Sequence, residues 1–155
     1  MVVNTKGQEM AHIFDIDGTL ADCSQRLHFI QQEKPDWDAF YKDCVNDKPI
    51  KPVLNLLRLI YEDEQDVIFV TGRPEKYRKQ TTLWLSKYLG SEYFGLAMRK
   101  DGDHRPDYIV KKEIYEKEIK PYFKHINGVF EDRKQCVDMW RSLGLTCYQV
   151  ADGNY

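Results

Sequence analysis

The chain has 155 residues, of which 42% are hydrophobic and 31% charged, with a formal net charge of −2. That length and apolar content fit one globular domain spanning 1–155 with a sizeable core. The near-neutral balance excludes a global positive field for nucleic acid, so any contact with a polyanion needs a local basic patch. No apolar run approaches a membrane span, and the polar start (Asn4, Thr5, Lys6, Gln8, Glu9) does not read as a signal peptide. Cys23, Cys44, Cys136 and Cys147 are scattered without CxxC spacing, which fits reduced thiols in a cytosolic protein better than a disulfide framework or a structural zinc.

Residues 11–14 form an apolar run, broken by His12, that predicts a short buried strand. The string FDIDGTL (14–20) follows, with two carboxylates two residues apart at the strand end. Asp15 there has the position of a nucleophile or metal ligand and Asp17 that of a neighbouring acid/base, while Gly18 frees the backbone to turn sharply. A D-x-D pair alone also closes ordinary polar turns. Residues 22–50 predict an insertion of small helices: one starting near Arg26, a break at Pro35, then a second capped by Asp36 and carrying Trp37, Phe40, Tyr41 and Val45. Because it directly follows the carboxylates, the insertion reads as a cap over a site.

An amphipathic helix is expected over 53–61, with Val53, Leu56, Leu57 and Ile60 on one face. A second strand at 67–70 ends in Thr71-Gly72-Arg73-Pro74. A hydroxyl at a strand end, a glycine for a tight turn and a helix N-terminus opened by proline would make a phosphate cradle. The helix predicted over 75–88 carries Lys76, Arg78, Lys79 and Lys87, a solvated face that could also steer a polyanion. A third strand is expected at 93–98, ending in the charged loop 99–105. Asp107 then opens a helix reaching Ile119, with Lys111 one turn on from Asp107 and Lys112 adjacent, so that pattern alone does not choose between the lysines. A fourth strand at 128–130 ends in Glu131-Asp132, a helix at 135–143 stops at Gly144, and a fifth strand covers 145–150. The alternation predicts an α/β fold with a doubly wound, mostly parallel five-stranded sheet whose strand ends gather the polar residues on one edge.

Four carboxylates beside a lysine and phosphate-binding amides need a cation, and Mg²⁺ suits such a set because it prefers oxygen ligands and usually keeps one or two carboxylates together with phosphate and water. Asp15 could then attack phosphorus to give an aspartyl-phosphate, with Asp17 as proton donor and then base, and Thr71 and Lys111 on the transferring oxygens.

The DxDGTL string resembles the first motif of the haloacid dehalogenase-like (HAD) phosphohydrolases, and the later motifs occur in order at the strand ends. The strings RKDGDHRPDYIVKKEIY (99–115) and VFEDRKQCVDMWRSLGLTCYQVADGNY (129–155) look more specifically like the 3′-phosphatase domain of phage polynucleotide kinase/phosphatases. That resemblance implies an Mg²⁺-dependent phosphomonoesterase on nucleic-acid 3′ ends, with Asp15, Asp17 (through its main-chain carbonyl), Glu131 and Asp132 at the metal. It implies Arg26 and Arg73 near the phosphate, and Asp107 orienting Lys111, which selects Lys111 over Lys112. It also implies a separate polynucleotide kinase or ligase as partner, since no GxxxxGK[ST] string occurs. The family often has Asp-Asp where this chain has Glu131-Asp132, which makes Asp132 the safer ligand, and the stretch 31–49 matches less well. Three other readings stand beside it: a 5′(3′)-deoxyribonucleotidase acting on free mononucleotides, a receiver-like phosphoryl-accepting domain, and a catalytically silent nucleic-acid-binding module.

Overall fold

The structure, a computed structural model, describes residues 10–90 and 95–153. Five parallel strands make the sheet: β1 (Met10–Phe14), then, beyond a short pair introduced below, β4 (Asp66–Pro74), β5 (Gly95–Arg99), β6 (His125–Glu131) and β7 (Cys147–Gln149), in the order β5-β4-β1-β6-β7. Alternation of side chains puts Ala11, Ile13, Ile68, Val70 and Val129 on one face and Phe14, Val67, Phe69 and Phe130 on the other. Helices α4 (Asp107–Ile114) and α5 (Lys134–Ser142) cover the first face through Val110, Ile114, Val137 and Trp140. Helices α2 (Lys51–Glu62) and α3 (Arg78–Leu89) cover the second through Leu54, Leu57, Trp84 and Leu85. Apolar cover on both faces is why these strands read as continuous hydrophobic runs. The chain winds outward from β1 in one direction and then in the other, so the topological switch point lies at the carboxyl end of β1, next to β4 and β6.

Several expected boundaries shift. The second strand continues through the Thr-Gly-Arg-Pro string, with an irregular register between Thr71 and Pro74, and a short 3₁₀ turn (Glu75–Tyr77) precedes α3. The proline therefore ends a strand instead of opening an α-helix, because its fixed φ is equally at home in extended backbone. On α2, Leu56 is exposed and Leu54 takes its place in the core, since the buried stripe runs through Val53, Leu54 and Leu57. The last strand is confined to Cys147–Gln149, and α4 widens into a π-helical turn at Tyr115–Ile119. Tyr93, at the start of the third predicted strand, lies outside the described residues, as does the polar start.

The segment 22–50 is made of small elements. A two-stranded antiparallel ribbon, β2 (Ala21–Asp22) with β3 (Lys48–Pro49), closes its neck. Between them lie 3₁₀ turns at Ser24–Phe29 and Asp43–Asn46 and the short helix α1 (Trp37–Lys42). Asp36 caps α1, accepting from the Ala39 amide at 2.9 Å. The ribbon was not legible in the sequence, because two residues per strand leave no alternating pattern to read.

Candidate active site

At the end of β1 the Asp15 amide donates to the Phe130 carbonyl of β6 at 3.0 Å, which fixes the backbone where the strand gives way to the loop. Gly18 adopts a φ of 82°, a left-handed conformation that other residues avoid, and the amides of Leu20 and Ala21 both donate to the Ile16 carbonyl. This tight loop leaves Asp15 buried at the floor of a cavity of about 580 Å³ and lifts Asp17 to its side.

Lys111 comes up from α4 and is fully buried. Its Nζ lies 2.7 Å from Asp15 Oδ1, 2.7 Å from Glu131 Oε2 and 3.4 Å from Asp107 Oδ2. Burial works against its charge, but Asp107, Asp15 and Glu131 together hold its pKa well above the ordinary lysine value. Lys112 instead points outward and pairs with Glu116 at 3.9 Å. Burial, and then the Glu131 carboxylate, push the Asp15 pKa up to about 8 against the pull of Lys111. Glu131 is raised for the same first reason, and its other oxygen accepts from the amides of Asp132 at 3.2 Å and Arg133 at 3.3 Å.

Asp17 experiences the opposite field. Arg73 donates to it through Nε at 2.9 Å and Nη2 at 2.6 Å, and Arg26 Nη2 donates to the same carboxylate. Burial would raise its pKa, but the two guanidinium groups outweigh that and hold it well below the usual carboxylate range. Both arginines are fully buried and share a further carboxylate, Asp47, which accepts from Arg26 Nε at 2.9 Å and lies 3.5 Å from Arg73 Nη2. Asp47 is in turn held at the neck of the segment 22–50, its carbonyl accepting from Trp84 Nε1 at 2.9 Å.

Thr71 is fully buried, and its hydroxyl accepts from the Arg73 amide at 3.3 Å. The residue between them has to be glycine: a Cβ on Gly72 would lie 2.1 Å from Asp107 Oδ1. Asp107 is braced from the other side by Arg99 at 3.0 Å, and the Arg99 Nε also donates to the Gly72 carbonyl at 2.7 Å. A similar close approach occurs behind Asp132, where a Cβ on Gly153 would lie 2.1 Å from its Oδ2.

The structure thus gathers Asp15, Asp17, Arg26, Thr71, Gly72, Arg73, Asp107, Lys111, Glu131 and Asp132 at one sheet edge. Asp47, Arg99 and Gly153 complete the arrangement and were not singled out from the sequence. A strand-end position, the same signal that marked Asp15 and Thr71, would have found Arg99. Asp47 and Gly153 carry no local signal.

One oxygen each from Asp15, Glu131 and Asp132 lie within 4.8 Å of one another, and all three residues are buried. Asp15 Oδ2 is buried with no hydrogen-bond partner among the described residues. An orphaned carboxylate oxygen beside two further buried carboxylates fits a hard cation that prefers oxygen ligands. The acidic cluster can therefore hold a metal.

A doubly wound sheet with this edge defines a phosphatase of the HAD class. Residues 9–155 match the family described as the polynucleotide kinase PNKP phosphatase domain, and the chain belongs to that family of phosphoester hydrolases. It is 27% identical over 135 residues to a protein of Autographa californica nuclear polyhedrosis virus named "Putative bifunctional polynucleotide kinase/RNA ligase", covering 87% of this chain and 18% of the viral one. A chain from the structure of a Pnkp1/Rnl/Hen1 complex superposes with a TM-score of 0.81 at 32% identity, over 100% of this chain and 49% of that one. The class C acid phosphatase of Bacillus anthracis, solved with tungstate bound, shares the fold with a TM-score of 0.73 at 13% identity, over 97% of this chain and 70% of that one. This chain accordingly spans under a fifth of the viral relative and about half of the Pnkp1/Rnl/Hen1 chain. No helix among the described residues is long and apolar enough to cross a membrane.

Proposed function

We propose that this chain removes the 3′-phosphate from nucleic-acid ends through an aspartyl-phosphate on Asp15. The observation that carries the reading is the Asp15 carboxylate itself. Lys111 pins its Oδ1, and its Oδ2 stands without a partner at the floor of a cavity lined by Thr71 and Gly72, in a chain of the polynucleotide kinase phosphatase family. The pinned oxygen fixes the rotamer, so that the other is aimed for in-line attack on phosphorus.

The transferring oxygens would be held by the Thr71 hydroxyl, the loop amides after it and the Lys111 ammonium, which stabilise charge that grows in the transition state. Asp17 would protonate the leaving 3′ oxygen and then take a proton from the water that cleaves the acyl phosphate. A dianionic substrate beside Asp17 would oppose the field of Arg26 and Arg73, which lie buried behind it, and so move its pKa back toward the range a proton donor needs. Asp15, Asp132 and Glu131 would hold Mg²⁺. Because Lys111 and two main-chain amides already occupy Glu131, Asp132 is the stronger of that pair. The Asp17 side chain faces the arginines, so its part at the metal would fall to its main-chain carbonyl. When bound there, the cation would neutralise these carboxylates and polarise the phosphoryl oxygens.

The segment 22–50 would serve as a cap, since Ile30, Trp37, Phe40 and Tyr41 line the cavity above the carboxylates. Four buried cysteines that form no disulfide agree with a reducing, cytosolic setting. The names of the relatives, a polynucleotide kinase/RNA ligase and a Pnkp1/Rnl/Hen1 complex, support work beside kinase and ligase activities. The test is phosphate release, with Mg²⁺, from oligonucleotides phosphorylated at the 3′ or the 5′ end and from 3′- and 5′-mononucleotides. Preference for the 3′-phosphorylated oligonucleotide supports the assignment. Preference for mononucleotides would make the chain a nucleotidase.

A further inference from the structure

The wall of the cavity opposite Asp107 is aromatic, and its rings form a series. Tyr77, 3% exposed, lies 5.1 Å from Tyr41 at an interplanar angle of 29°, and Tyr41 lies 6.0 Å from Trp37 at 27°. The series is anchored at its inner end, where the Tyr77 hydroxyl donates to Asp38 Oδ1 at 2.7 Å and so ties α1 to the turn before α3. Its outer end is open: Trp37 lines the cavity and is 50% exposed.

Packing of the cap on itself does not explain that exposure. The cap has its own core in Phe40, which is 4% exposed, lies under the Arg26 guanidinium at 4.1 Å and meets both Trp37 and Tyr41 edge-on. An indole left half in water at the mouth of a site, with its neighbours aligned nearly parallel behind it, is the arrangement that accepts a planar ligand. Charge points the same way. The five aspartates lining the cavity outnumber its four lysine and arginine side chains. Three of those cations are already engaged, Arg99 and Arg133 with Asp107 and Arg105 with Asp103 and Glu113. Few cations are thus left at the rim to follow a long polyanion along its backbone, and affinity has to come from elsewhere.

We propose that Trp37, backed by Tyr41, forms a stacking shelf for the terminal nucleobase of a single-stranded 3′ end whose phosphate sits at Asp15. This rests on the assignment above and names what that site recognises. A base must be unpaired to lie on the shelf, so the terminal nucleotide is bound as single strand. Lys76, exposed on the same rim with Nζ 4.9 Å from the Tyr77 ring, is placed to meet one backbone phosphate. Recognition is thus local to the terminal nucleotides and only weakly dependent on salt.

Trp37 also supplies a direct readout, since Trp84 and Trp140 are each 1% exposed. In the Asp15→Asn variant, a 3′-phosphorylated oligonucleotide should quench tryptophan fluorescence, and Trp37→Phe in that background should remove the quenching while keeping the affinity. Trp37→Ala should weaken binding by about 5- to 150-fold, the range set by loss of one base–aromatic stack. In turnover, the wild type should favour a normal 3′-phosphorylated end over one whose last two residues are abasic, and Trp37→Ala should erase that preference. Equal losses on both substrates, or quenching that persists in Trp37→Phe, would overturn the shelf. Release of phosphate from p-nitrophenyl phosphate but from neither oligonucleotide would overturn the polynucleotide assignment itself, and the shelf with it.

Discussion

Replacing Gly72 by alanine isolates the contact on which the phosphate loop depends. The new Cβ would stand 2.1 Å from Asp107 Oδ1 and 2.9 Å from its Cγ, well inside any tolerable separation, so the carboxylate has to retreat by more than about 1 Å. It cannot do so freely. Arg99 holds it at 3.0 Å and Lys111 lies 3.4 Å from its other oxygen. Loss of one such charge-assisted hydrogen bond costs about 1.5–3 kcal/mol. A displacement of about 1 Å carried through to Lys111 is enough to lower turnover by roughly 10²-fold. Gly72→Ala should therefore lose about two orders of magnitude in kcat/KM, measured as phosphate release from a 3′-phosphorylated oligonucleotide, with roughly 3–12 °C lost in Tm. Because both effects act through Asp107, they should not add. In an Asp107→Ala background, Gly72→Ala should cost little more. A single Gly72→Ala variant within twofold of wild type, or full additivity with Asp107→Ala, would refute the close approach.

Two further outcomes follow from the charges. Asp47→Ala leaves Arg26 buried with only part of its neutralisation, which should cost about 3 kcal/mol in urea unfolding and lower turnover through a misplaced Asp17; unchanged stability would mean that the pair is not buried as described. Mg²⁺ at about 100 times its Kd should stabilise the wild type by about 2.7 kcal/mol, a rise of roughly 5–10 °C in Tm, and Asp132→Asn should lose most of that rise. Equal Mg²⁺ shifts in both proteins would place the cation elsewhere.

The parts of the site legible in the sequence were those where a local pattern coincides with a strand end. Asp15 and Glu131 close apolar runs at strand ends and Thr71 closes one at the register break before the end of β4, and the sheet then brings the three together without further information. Lys111 was found only with the help of the family likeness, because helical spacing treats Lys111 and Lys112 alike. What separates them is rotation about the axis of α4, which buries Lys111 and leaves Lys112 paired with Glu116 in water. Asp47 escaped because its partner Arg26 lies 21 residues away and meets it only once the ribbon of β2 and β3 has closed. Gly153 escaped for a related reason: a glycine near the chain end has no visible purpose until its missing Cβ is set against Asp132. On α2 the sequence offers leucines at both 54 and 56 beside Val53 and Leu57, and spacing alone does not choose between them.

The central claim is that Asp15 carries the phosphoryl group and does not merely hold a cation. It is tested most directly by quenching the Asp17→Asn variant in acid during its reaction with p-nitrophenyl phosphate and Mg²⁺, then locating phosphate on the peptides. The leaving group needs little protonation, so the first step proceeds while the second is slowed. The account predicts one phosphoryl group on the peptide containing Asp15, and none when Asp15→Asn is added. Turnover in Asp17→Asn with no phosphorylated peptide, or with the label on another residue, would contradict it and leave Asp15 as a metal ligand for attack by water.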